Sequence, residues 1–326
     1  MHQIKKCASF FACLRKIVLC FQKIFMKMKS LFSLNATIML CVALLAGSGC
    51  KKSDYRMPAA PAYQISIKVD SRLGQYLVDK DGRSLYIFSN DPDGRDNCTG
   101  QCQLFWPTFN VPNLSASMLG PGLDLADFAS ITSAAGNAQL TYKGWPLHYF
   151  APDGMKMEDP GQIQGDNKFN IWFVAKPDYS IMIVNQQLTG VDGINYKSDY
   201  TVGNGTTTYF TDARGRTLYN FSLDSANHNK FTAPDTATVN NYNRFWPIYE
   251  TDKIVVPSAL DKTQFGSITV YGHTQLTYKQ WPMYNFYRDS TRGSNKGIAF
   301  PQAPAPPTNP VIWPVVTQNQ APAAHQ

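Results

Sequence analysis

Residues Gln139–Asp153 read QLTYKGWPLHYFAPD, and Gln275–Asp289 read QLTYKQWPMYNFYRD. Shorter echoes stand at Gly82–Asp91, GRSLYIFSND, and Gly215–Asp224, GRTLYNFSLD. All four follow one pattern: Leu or Met, then Tyr or His, any residue, Phe, two residues, Asp. Its copies are Tyr86, Phe88 and Asp91; His148, Phe150 and Asp153; Tyr219, Phe221 and Asp224; and Tyr284, Phe286 and Asp289. Self-similarity of this kind marks a chain assembled from one supersecondary unit used repeatedly.

Each copy reads as a β-hairpin. Gln75–Asp79 and Ser84–Phe88 flank Lys80-Asp81-Gly82-Arg83, and Thr208–Asp212 and Thr217–Phe221 flank Ala213-Arg214-Gly215-Arg216. An Asp-Gly step between alternating runs supplies the positive φ of a tight turn. In the outgoing strand Tyr86 and Phe88 share one face while Leu85 and Ile87 share the other. Both faces are apolar, so the strand should be covered on both sides. The motif Asp falls at the strand end, where it can accept hydrogen bonds from turn N–H groups.

Residues 1–50 differ from the rest. They carry seven of the 30 Lys and Arg and none of the 23 acids. An apolar run, Ala36–Ala46, leads into Gly47-Ser48-Gly49-Cys50. Basic start, short apolar run and small residues read as a secretory signal peptide, and the run is too short for a comfortable membrane span. Met26–Cys50 alone would make a complete signal. A Cys directly after small residues looks like the lipobox of a bacterial lipoprotein, which puts a lipid on Cys50 and anchors the mature chain to a membrane. Lys51 does not match the Asp of inner-membrane retention, so the outer membrane of a diderm bacterium is expected. Without the signal the charge is balanced, 23 against 23. The basic whole-chain value therefore argues for no nucleic-acid partner.

Residues 51–62 read as a Pro- and Ala-rich tether, 63–178 as a first repeat unit, 179–317 as a second, and 318–326 as a loose tail. Residues 189–205, extra in the second unit, read as a surface loop. Helix-period patterns are scarce, and Tyr, Phe, Thr and Val abound between turn residues, so the fold class is all-β. Motif spacings of 62, 71 and 65 residues allow a propeller-like ring, while the longer duplication allows two tandem β-sandwich or barrel domains. Strand Val311–Val316 distinguishes them: pairing with Ile65–Val69 would close a ring.

Past Cys50 only Cys98 and Cys102 remain, in a chain bound for an oxidising compartment. They form either a disulfide bracing a loop or a dithiol that binds copper(I) or exchanges electrons, with His148, Met155 and Met157 as candidate partners. Asp91–Asp96, DPDGRD, lacks EF-hand spacing and reads as an Asp- and Gly-rich turn. Four motif aspartates at equivalent positions point to a repeated structural task, because acid–base catalysis needs one asymmetric site. No Gly-x-Ser-x-Gly or His-Glu-x-x-His occurs, and no nucleophile–base constellation emerges. The six tryptophans, three per unit at matching places, are expected to pack the core.

The four motif copies, the Cys98-Thr-Gly-Gln-Cys102…Phe105-Trp106-Pro107 run, the two Gln-Leu-Thr-Tyr-Lys segments and the lipobox-like Cys50 together resemble the secreted-repeat family of bacterial lipoproteins. That family is described by a Tyr-x-aromatic-x-x-Asp motif, and the resemblance covers about residues 64–316. It carries no settled biochemical role. Two readings follow: a lipid-anchored envelope module that binds an envelope protein or glycan, or an envelope redox or copper-handling protein using Cys98 and Cys102.

Overall fold

A computed structural model describes residues 63–234, 242–300 and 311–325. The signal and tether segments, 1–50 and 51–62, lie outside the described residues. Strand β1 (Ile65–Asp70) pairs antiparallel with β2 (Gly74–Asp79), Ile65 opposite Asp79. The tight turn after β2 forms around Asp79, whose Oδ1 accepts the N–H groups of Asp81 and Arg83. Asp212 does the same for Arg214 and Arg216 in the second half. The outgoing strand does not stay with its hairpin partner. Leu85 N–H still bonds Leu77 O, but β3 (Tyr86–Phe88) crosses to pair with β7 (Trp172–Val174). Tyr86 also exchanges both backbone bonds with His148. Two copies of the motif are thus held edge to edge.

The longer repeat gives two hairpins of matching register. β4 (Phe128–Thr132) pairs with β5 (Ala138–Tyr142), Phe128 opposite Tyr142. β11 (Phe265–Val270) pairs with β12 (His273–Tyr278), Phe265 opposite Tyr278. Each continues through a two-residue turn into a Trp-Pro strand, β6 (Trp145–Pro146) or β13 (Trp281–Pro282). Both turn residues take positive φ, 49° and 81° at Lys143-Gly144, 48° and 69° at Lys279-Gln280. That is the geometry that matches strand twist. At position 144 glycine lets the Arg292 guanidinium close in, since a Cβ would lie 2.8 Å from it.

The second half opens with β8 (Met182–Thr189), paired with β10 (Thr206–Thr211). The intervening segment is more than a surface loop: β9 (Asn195–Tyr196) joins β8, and Tyr196 is fully buried. The closing segment 311–316 bonds within its own half. Ser222 and Asn220 donate to Ile312 and Pro314 carbonyls, and Val316 bridges Leu218 and Phe210. It does not pair with β1, and no barrel or propeller closes among the described residues. Residues 317–325 are not loose either. Trp281 Nε1 donates to Ala321 O at 2.9 Å, Lys279 Nζ reaches the Gln318 and Gln320 carbonyls, and Ala323 is buried. The segment is held by side chains of β12, the turn and β13 that donate to its backbone carbonyls, so its own side chains do not announce the docking.

The two faces of β3 separate two cores. Leu85 and Ile87 join a large core shared by both halves. Tyr86 and Phe88 join a smaller one with Trp106, Phe150, Trp172 and Cys98. In the smaller core Trp172 is sandwiched, with Phe88 stacked on one side at 4.1 Å and Trp106 on the other at 3.8 Å. Trp246 stacks on Trp313 at 3.7 Å in the second half. Five of the six tryptophans are buried and Trp281 is half-buried, as core packing requires. Burying a large aromatic is worth roughly 1.5–3 kcal/mol, so these stacks are major contributors to stability.

Candidate functional site

In the second half the two motif copies serve each other. Tyr219 donates its hydroxyl to Asp289 Oδ2 at 2.6 Å, and Tyr284 donates to Asp224 Oδ2 at 2.8 Å. The exchange follows from the backbone, because Tyr219 and Tyr284 are direct antiparallel partners and each strand ends beside the other's tyrosine. The second oxygen of each carboxylate closes a loop: Asp224 Oδ1 accepts Lys230 N–H and Asp289 Oδ1 accepts Lys296 N–H. Burial pushes the carboxyl of Asp224 up to about 6 and that of Asp289 up to about 7. The Tyr219 hydroxyl also accepts Gly297 N–H at 3.1 Å.

The first half departs from this plan twice. Asp153 stands exposed and accepts only the N–H groups of Met155 and Lys156. Its role falls to Glu158, which accepts the Tyr86 hydroxyl and closes its loop onto Gln164 N–H at 2.8 Å. Gly165 N–H reaches the Tyr86 hydroxyl as Gly297 reaches Tyr219. The motif does not mark Glu158, but the chain holds only two glutamates, and this one follows the second copy by five residues. The other departure is His148 at the place of Tyr284.

Around His148 lies a wholly buried polar cluster. Nε2 stands 3.7 Å from Asp91 Oδ2, 3.9 Å from Asp96 Oδ1 and 3.2 Å from Gln139 Nε2. Nδ1 faces the Trp106 carbonyl at 3.2 Å. Asp91 Oδ1 accepts Asn97 N–H, while Asp96 accepts the N–H groups of Cys98 and Ala134. Burial raises the Asp91 carboxyl, with the neighbouring His148 opposing it. Cys98 and Cys102 form a disulfide over the cluster, with Cα atoms 5.3 Å apart. Met155 and Met157 are exposed, at 89% and 37%, whereas His148 is fully buried. The proposed copper partners are therefore not gathered.

On the surface, the turn at 71–75 and the segment 254–262 border an open cleft of about 530 Å³. Arg72, Lys176 and Lys262 line it, against Asp178, with Leu73, Val256 and Leu260 as apolar wall. Lys176 is buried and donates to Val256 O at 3.1 Å, and burial lowers its ammonium below the ordinary lysine range. No described helix is long and apolar enough to cross a membrane.

Crossed carboxylate–phenol pairs between hairpins define an all-β repeat protein whose motif is an internal fastening. Residues 129–176 match the family described as a secreted repeat of unknown function. No curated protein and no solved structure matches the chain.

Proposed function

We propose that the protein is a lipid-anchored binding module of the cell envelope, with the repeats as scaffold and the cleft at 71–75 and 254–262 as the binding face. The observation that carries this reading is the direction of the motif side chains. Tyr86, Tyr219, Tyr284, Asp91, Asp224 and Asp289 all point inward, so the repeated chemistry is spent on architecture and leaves recognition to the surface. The cleft falls within the usual range of ligand sites, about 300–1,000 Å³. Two exposed cations, Arg72 and Lys262, against Asp178 suit an acidic envelope partner, glycan or protein, with the buried Lys176 behind them. Attachment through Cys50 to the outer membrane supplies the location, in keeping with a secreted repeat.

Purified mature protein should be retained by envelope extracts in a saturable, salt-sensitive way. Pretreating the extract with protease or with glycosidases tells a protein partner from a glycan. Arg72→Ala combined with Lys262→Ala should weaken retention at least tenfold; unchanged retention would remove the cleft from the reading. Anchoring is tested separately: Cys50→Ala should leave the membrane fraction, and a variant that stays there refutes the lipid.

A further inference from the structure

The polar cluster under the disulfide is best understood against its counterpart in the second half. There Asn229 Nδ2 donates to Gln275 Oε1 at 2.7 Å, and the Tyr284 hydroxyl fills the space up to Asp224. Every acceptor has a donor. In the first half Asp96 stands at the place of Asn229, five residues after the motif Asp, and His148 at the place of Tyr284. A carboxylate has no N–H to give, so Gln139 Oε1 is buried without a partner. Imidazole is shorter than phenol, so Asp91 Oδ2 is buried and bare as well, in a residue with no exposed surface.

The tautomer of His148 follows from its neighbours. The Trp106 carbonyl can only accept, so Nδ1 carries the hydrogen; the Nε2 lone pair faces Gln139 Nε2 at 3.2 Å, with the two carboxylates beside it at 3.7 and 3.9 Å. A bare carboxylate oxygen on Asp91 and the carboxyl of Asp96 both stand beside His148 Nε2, in a cluster with almost no exposed surface. Burying such charge without compensation is costly, and pairing with a cation is a usual remedy.

We propose that this spot holds a divalent cation of the zinc class, bound by His148 Nε2, Asp91 Oδ2 and Asp96, with Gln139 Oε1 beside it. Zinc takes imidazole nitrogen and carboxylate oxygen at about 2.0–2.2 Å, which places tetrahedral ligand atoms about 3.4 Å apart. From Nε2 the two carboxylates, at 3.7 and 3.9 Å, need a slight contraction, and the Asp91 carboxyl must turn in toward Asp96 to complete the set. Cys98 Sγ lies within 4.8 Å of ligand atoms on Asp96 and His148, but it is tied in the disulfide and forms a wall of the site. The Trp106 carbonyl on Nδ1–H supplies the outer support that orients metal-binding histidines. Since the site is closed to solvent, the ion enters as the chain folds.

The test is to refold the mature protein, disulfide intact, with Zn²⁺ or with a chelator, and measure bound metal after gel filtration together with Tm. One zinc per chain and a higher Tm are expected, as is a cobalt spectrum free of thiolate absorption. Asp96→Asn installs the second half's solution, an amide that can donate to Gln139, and should fold while losing most of the metal. Asp91→Asn gives the same readout should that variant fail to fold. Wild-type protein that refolds without metal and melts identically in zinc and chelator overturns the proposal, as does full zinc content in both variants.

Discussion

Tyr219 and Asp289 meet through a 2.6 Å hydrogen bond although 70 residues of chain separate them, and Tyr284 and Asp224 repeat the contact in reverse. Among the described residues each phenol is the only side-chain donor on its carboxylate oxygen. Tyr219→Phe and Tyr284→Phe therefore each leave a buried carboxylate oxygen bare. Each is expected to cost about 1–3 kcal/mol, read as a lower denaturant midpoint at unchanged m-value. A pair of variants as stable as the parent would show that the motif has some other use.

The same carboxylates set a pH dependence. Their folded-state pKa values, about 6 for Asp224 and about 7 for Asp289, lie above the ordinary aspartate value, so the native state binds protons more readily than the unfolded chain. Their contribution is greatest below about pH 4 and is lost as pH rises through 6 and 7. At about 1.4 kcal/mol per pH unit, moving from 3.8 to about 6 and about 7 amounts together to at most roughly 7 kcal/mol. Unfolding free energy measured from pH 4.5 to 7.5 should fall, and Asp289→Asn should flatten the upper part of that curve. A rise across this window in both proteins would contradict it.

Two glycines stand where the backbone must touch a motif tyrosine. A Cβ at Gly165 would lie 2.8 Å from the Tyr86 ring, and one at Gly297 would lie 2.7 Å from both Tyr219 and Trp246. Both N–H groups donate to the same phenols, so neither segment can back away without breaking a bond. Gly165→Ala and Gly297→Ala are each expected to cost about 1–3 kcal/mol by overpacking. Thermal melts of the two variants check this; alanine tolerated at both sites would mean the loops move freely.

Arg292 fastens the halves. Its Nη1 donates to the Lys143 carbonyl at 2.7 Å and the Arg214 carbonyl at 2.5 Å, and the guanidinium lies 4.7 Å from the Trp145 ring centre. Burial lowers its pKa to about 10. Arg292→Ala should destabilise by about 2–3 kcal/mol. Residues 63–178 and 179–325 expressed apart should each melt at a lower temperature than the joined chain. Two halves as stable as the parent would mean that Arg292 and the shared core couple nothing.

Much of this was legible in the residues. The Asp-Gly turn, the doubled hairpin and the two-sided apolar strand all came from local pattern, and local hydrogen bonds decide those features. The crossing of β3 from its hairpin partner to His148 and β7 was not legible, because periodicity says which faces are buried and not by whom. For the same reason the motif Asp reads as a turn residue, while its closing bond runs six or seven residues on and its phenol comes from another copy. Asp153 carries the motif yet stays outside, since a Pro-Asp-Gly turn satisfies it locally and Glu158 reaches Tyr86 first. The disulfide was one of two readings of Cys98 and Cys102. Its relation to Asp96 and His148 needed the fold, which brings residue 148 under a loop 50 positions earlier.

The docked segment 317–325 repeats contacts that the first half makes with the second. Tyr142 and Lys143 give their polar atoms to the Pro177 carbonyl, and Trp145 gives its indole N–H to Ala213 of the following unit. Tyr278 and Lys279 use the Gln318 carbonyl, and Trp281 uses Ala321. Gln318 and Ala321 therefore stand to the second hairpin as Pro177 and Ala213 stand to the first. A stack of identical modules presents a sticky end at its last member, and here residues 317–325 cover the second hairpin's equivalent of that face with backbone carbonyls.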